Sequence, residues 1–72
     1  MIGILEYPDY EDADSGRVSE IQVVVGNLGG VVLGVKASEE DCEARVGFRI
    51  PVDRIKQLES EAEDAGWEVR WL

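Results

Sequence analysis

Apolar residues along this chain fall into short stretches separated by Gly, Pro and runs of acids, and their spacing predicts the elements. Ile2-Gly3-Ile4-Leu5-Glu6-Tyr7 reads as a first strand that Pro8 ends. Asp9 to Gly16 has no period and is dense in turn residues, so it reads as an exposed acidic loop. Val18 to Val25 alternates, with Ile21, Val23 and Val25 on one face, and predicts a second strand. Gly26-Asn27-Leu28-Gly29-Gly30 predicts a tight turn, and Val31 to Lys36 a return strand with Val31, Leu33 and Val35 inward. Ser38 to Glu43 is a second acidic connection with room for one helical turn. Arg45 to Ile50 predicts a further strand with Val46, Phe48 and Ile50 inward.

The period then changes. Pro51 suits a first helical position and Asp53 the positive end of the helix dipole. Val52, Ile55, Leu58, Ala62 and Ala65 recur every three or four residues as one apolar stripe, and Gly66 is a C-terminal stop. Trp67 to Leu72 alternates again, with Trp67, Val69 and Trp71 inward. The predicted order is β-β-β-β-α-β. This is an α+β fold: a small, mostly antiparallel sheet of about five strands with one helix packed on one face.

Composition narrows the function. A chain of 72 residues supports one small domain, residues 1–72, with a modest core. There is no His and one Cys, Cys42, so the commonest general base, the commonest metal ligand and an intrachain disulfide are all missing. Sixteen acids against seven cations give a net charge of −9, which argues against a nucleic-acid-binding surface built from Lys and Arg. No apolar run has the length of a membrane span, and the start of the chain lacks a basic region ahead of its apolar residues. The expected location is therefore the cytoplasm.

Motifs of chemistry are weak. The Gly-rich stretch Val25–Gly30 lacks the Lys-Ser/Thr of a phosphate loop and precedes a predicted strand. Asp12-Ala13-Asp14-Ser15-Gly16 begins like a calcium loop, but Gly16 falls where a ligand belongs and Val23 occupies the position of the closing Glu. Cys42 sits between Asp41 and Glu43, which disfavours a thiolate. Carboxylate pairs for acid–base work arise by chance at this acid density, and a core this small leaves little room for a cleft. Trp67 and Trp71 share one strand face, where packing against the helix is the plain reading and a role as exposed binding anchors the alternative. We expect no enzyme activity, no cofactor and no metal.

Charge placement carries more information. Thirteen acids form three clusters: Asp9/Glu11/Asp12/Asp14, Glu39/Glu40/Asp41/Glu43 and Asp53/Glu59/Glu61/Glu63/Asp64. Lys36, Arg45, Arg49 and Arg70 are predicted on the non-core face of the sheet, with Glu20 and Glu68 as cross-strand partners. A domain of this length spans roughly 25–30 Å. A duplex of that length holds on the order of 15 phosphate charges, comparable to the −9 carried here. The loops and helix thus read as a polyanionic surface for a basic nucleic-acid-binding protein. The candidate contact residues are Asp9, Glu11, Asp12, Asp14, Glu39, Glu40, Asp41, Glu43, Glu59, Glu61, Glu63 and Asp64.

In size, acidity and β-rich character, the chain resembles phage-encoded anti-CRISPR proteins, specifically small acidic inhibitors of type I systems, type I-C among them. The resemblance follows the run Met1-Ile2-Gly3-Ile4-Leu5-Glu6-Tyr7-Pro8-Asp9-Tyr10-Glu11-Asp12 and the Gly-rich stretch after it, and rests on whole-chain character rather than a diagnostic motif. It implies an inhibitor acting in the infected bacterial host, and we expect the domain to be a monomer. The inhibitor would bind a subunit of the guide-RNA-carrying (Cascade) effector complex and mimic DNA to block target recognition. The same physics would serve an acidic immunity protein or antitoxin that neutralises a basic nuclease. Two other readings are a halophilic small domain whose charge only keeps it soluble, and a calcium-binding module.

Overall fold

The structure is a computed structural model, which describes residues 1–8, 10–11, 15–38 and 40–72. Its elements are β1 (Ile2–Pro8), α1 (Ser15–Asn27), β2 (Val31–Ser38), β3 (Glu43–Arg49), a single 3-10 turn (Val52–Arg54), α2 (Ile55–Ala65) and β4 (Glu68–Trp71). The fold is α+β, but among the described residues the sheet has four strands rather than about five, there are two helices rather than one, and the order is β-α-β-β-α-β. The strands lie in the order β2-β3-β1-β4, each antiparallel to its neighbour. Each half of the chain is thus a β-α-β unit split by a strand of the other half, the ferredoxin-like arrangement.

The decisive correction is Val18–Val25, which is helical. Val18, Ile21 and Val25 are buried at spacings of three and four, with Val24 and Leu28 packed beside them. Val23, which strand alternation would bury, is 60% exposed. Three consecutive valines favour a strand locally. A four-stranded sheet, however, has an apolar face that the 11-residue α2 cannot cover alone, and the second helix is what closes it.

The predicted hairpin turn is the end of α1. Gly29 takes a left-handed φ of 77°, its N–H donates to Gly26 O at 3.1 Å, and Gly30 N–H donates to Val25 O at 2.9 Å. These two bonds satisfy carbonyls that the last turn would leave open. Only glycine fits at 30, because a Cβ there would lie 2.7 Å from the Arg49 carbonyl oxygen and 2.5 Å from Ile50 Cγ2. α2 ends the same way: Gly66 at φ 79° donates to Glu63 O, and Trp67 N–H donates to Ala62 O at 2.8 Å. Trp67 is buried in the same cluster as Ala62.

One buried cluster lies between the helices and the inner face of the sheet. Leu5, Val46, Phe48, Ile21, Val25 and Leu58 are its largest fully buried side chains. Strand register sets the inner rows: Val32, Phe48, Gly3 and Trp71 face one another across the sheet, as do Val35, Val46, Leu5 and Val69. Phe48 meets Trp71 edge-on with ring centroids 5.5 Å apart. Gly3 makes that pair possible, since a Cβ there would come within 2.9 Å of both rings.

Two inward assignments fail with the predicted hairpin. Val31 and Leu33 are 52% and 55% exposed, and a bulge between Val32 and Gly34 shifts the register of β2. Val35 does face the helix side but stays 45% exposed, because it lies on the edge strand. Val52 is exposed on the 3-10 turn rather than at the head of the apolar stripe.

Candidate functional site

Topology brings the acidic segments to one end of the molecule. β1 runs from Ile2, opposite Arg49, to Pro8, opposite Glu43. The β1–α1 connection therefore begins beside the β2–β3 turn. A backbone bond joins the two: Tyr10 N–H donates to Cys42 O at 3.0 Å. Tyr10, predicted in an exposed loop, is instead buried, with its ring edge-on to Tyr7 at 6.4 Å. It anchors the acidic connection to the core.

The β2–β3 turn is held from within. Ser38 Oγ accepts the Asp41 N–H at 3.3 Å, and Cys42 adopts a left-handed φ of 51°. A non-glycine residue in that region costs roughly 1–2 kcal/mol. The return is a tight reversal that points Glu40 and Asp41 into solvent.

The C-terminal half of α2 reaches the same end. Gly66 leads directly into Glu68, which pairs with Glu6 in the upper half of β1. Glu61 and Ala65 face Gly16, Ser19 and Glu20 of α1 across an open groove of about 420 Å³. Glu61, Glu63 and Asp64 are exposed there. Among the described candidates, Glu11, Glu40, Asp41, Glu61, Glu63 and Asp64 are thus gathered towards one end, while Glu59 lies at mid-helix. Asp53, grouped with the α2 acids in the sequence, sits on the 3-10 turn at the opposite end. Asp9, Asp12, Asp14 and Glu39 lie outside the described residues.

The cations are divided between the two ends: Arg49, Arg54 and Lys56 lie at or near the end that holds Asp53, while Arg17 in the first turn of α1 and Lys36 and Arg45 beside the β2–β3 turn lie towards the acidic end. The two acidic connections, residues 9–14 and 39–41, contain seven acids and no cation. The strands contain three acids and four cations. The excess of acids is therefore concentrated in the two connections and in α2 rather than spread evenly over the chain.

On the open face of the sheet, Lys36, Arg45, Glu6 and Glu68 form one cross-strand row. Two like-charged pairs in a row would repel. Ion pairs offset this: along β3 Arg45 makes a two-point contact with Glu43 at 3.0 and 3.1 Å, and diagonally across strands Arg70 Nη2 lies 3.1 Å from Glu6 Oε1. The hydrogen bond and charge of Glu43 hold the Arg45 guanidinium above its ordinary range. Glu43 is thus already engaged and is the weakest of the candidate contact residues. Glu6 is buried, and Oε1 has the Arg70 charge nearby but no well-angled hydrogen bond. Glu20, expected on this face, is on α1.

Sequence reasoning missed two participants, Tyr10 and Glu6. The signal for Tyr10 was a lone aromatic within an acidic run, and that for Glu6 a carboxylate inside an otherwise apolar strand. Trp67 is buried and Trp71 half-buried, as the packing reading expects. Among the described residues, no group of three or more His, Cys, Asp or Glu side chains could hold a metal ion, and no helix is long and apolar enough to cross a membrane. No protein-family profile, curated protein or solved structure matches the chain.

Proposed function

We propose that this protein is a non-enzymatic inhibitor that binds the basic, nucleic-acid-binding surface of another protein through its acidic end. The supporting observation is the Tyr10–Cys42 backbone bond, which ties Tyr10 of one acidic connection to the residue that closes the other, at the end that α2 also reaches with Glu61, Glu63 and Asp64. Exposed carboxylates spread over a surface resemble a run of phosphates more than a chelating site. They meet Lys and Arg through charge-assisted hydrogen bonds. A net charge of −9 also steers the molecule towards a positive channel, which speeds association and makes it salt-sensitive.

The partner that the sequence resemblance implies is a guide-loaded type I CRISPR effector complex. There the acidic end would occupy the surface that receives target DNA, and the host cytoplasm is where the two would meet. The test adds purified protein to such a complex with labelled duplex target, at about 50 mM and about 300 mM salt. The expected result is loss of target binding, with the larger effect at low salt. Target binding that is unchanged at every protein concentration overturns the proposal for this partner. An immunity-type role uses the same surface, and protection of a basic nuclease's DNA substrate would distinguish it.

A further inference from the structure

We propose that the groove between α1 and α2 seats an arginine side chain presented by a basic protein partner, an inference that rests on the reading above and names what the acidic end holds. The groove is open, has a volume of about 420 Å³, and lies between the first half of α1 and the last turns of α2. Small residues at facing positions keep it open: Gly16 on α1 and Ala65 on α2. A Cβ added at Gly16 would meet nothing within 4 Å. The most buried lining residue is Trp67, and half-buried Val24 also lines it. Val23, which the helical period turns away from the core, lines it too and is 60% exposed.

The lining selects the occupant by charge. Glu20 and Glu61 reach the groove from opposite helices and are exposed, and no Lys or Arg is among its described lining residues. An anion is repelled there, and a second copy of the chain would bring a further charge of −9. A wholly apolar group would strip water from two carboxylates and return no hydrogen bond. Among the described residues, no group of three or more His, Cys, Asp or Glu side chains could hold a metal ion. A side chain that suits both kinds of lining has a long apolar stem and a cationic head. Arginine suits it better than lysine. Its planar guanidinium is weakly hydrated, stacks against aromatic rings and offers several donors to carboxylates, and the groove supplies Trp67, Glu20 and Glu61. Glu63 and Asp64, exposed on the same turns of α2, extend the acidic surface beyond the groove. The contact therefore adds an apolar anchor to the charge of the acidic end, and salt screens that anchor less.

The test titrates the protein with two peptides of equal charge, hexa-arginine and hexa-lysine, at about 150 mM salt, and follows amide and indole N–H signals by NMR. It needs no effector complex, so its result is independent of whether the protein displaces target DNA. Hexa-arginine is expected to bind at least about threefold tighter than hexa-lysine, with the largest shifts at the Trp67 indole and the Val23 and Ala65 amides. Val23→Ser, a charge-neutral change at an exposed position, is expected to abolish this preference while leaving the affinity for hexa-lysine within about twofold. Ala65→Gln, which fills the groove from an exposed position, serves if that variant fails to fold and is expected to do the same. Equal affinities for the two peptides overturn the proposal and leave the charge-based contact standing. Shifts centred on Glu40 and Asp41 with Trp67 unmoved, or an arginine preference that survives in the variants, also overturn it. An arginine preference lost with Val23→Ser, in a protein that does not displace target DNA, supports the groove and overturns the effector complex as its partner.

Discussion

Reversing four charges at the acidic end, Glu40→Lys, Asp41→Lys, Glu63→Lys and Asp64→Lys together, is expected to weaken displacement of target DNA by roughly 30- to 100-fold, at about 0–1 kcal/mol per exposed pair. Any one of these changes alone is expected to shift it by less than about fivefold on the same grounds. Replacing Asp9, Glu11, Asp12 and Asp14 together is expected to act in the same direction. The control is Asp53→Lys with Glu59→Lys, which changes net charge by half as much at the far end and middle of the molecule. It is expected to have less than a threefold effect, because screening confines exposed charges to a range of about 10 Å. Reading each variant by competition titration, with circular dichroism to confirm folding, checks this. Equal losses per reversed charge in the two variants would mean that net charge alone matters, and the acidic end would lose its special role.

Phe48→Ala is expected to leave the protein largely unfolded at physiological temperature. Phe48 is the largest fully buried side chain, packed edge-on against Trp71 and over Gly3. Truncating a buried Phe costs about 3–5 kcal/mol. A chain of 72 residues has a total stability of only about 4–10 kcal/mol. For a domain this small, that loss lowers the melting temperature by roughly 15–30 °C. Thermal unfolding followed by tryptophan fluorescence checks it, since Trp71 reports the same contact. A drop below about 5 °C would show that the Phe48–Trp71 pair is not the centre of the core.

Most of the fold was legible. The short apolar run Ile2–Tyr7 ended by Pro8 located β1, alternation in Arg45–Ile50 and Trp67–Leu72 located β3 and β4, and the stripe Ile55/Leu58/Ala62 with Gly66 located α2. The failure was at Val18–Val25, where two periods coexist. Ile21, Val23 and Val25 fit a strand, Val18, Ile21 and Val25 fit a helix, and β-branched residues favoured the first. What decides is the need to cover the second half of the sheet, a tertiary demand invisible in an eight-residue window. That error converted the helix-ending Gly29-Gly30 into a hairpin turn and made the exposed face of β2 look inward.

The candidate site was legible as composition and less so as geometry. The three acidic clusters stand out in the sequence. Their lateral juxtaposition does not, because it depends on β1 pairing with β3 rather than with the next strand in the chain. That pairing brings Tyr10 to Cys42. It also divides the third cluster, leaving Asp53 at the far end of α2 from Glu63 and Asp64.

Carbodiimide cross-linking of the protein to the guide-loaded effector complex, read by mass spectrometry, tests the central claim most directly, because it joins carboxylates to lysines already in contact. The expected result is cross-links from Glu40, Asp41, Glu61, Glu63 and Asp64 to lysines that line the DNA-binding surface, suppressed when duplex target is added first. Cross-links confined to Asp53 and Glu59, or cross-links that persist unchanged with target bound, would contradict it.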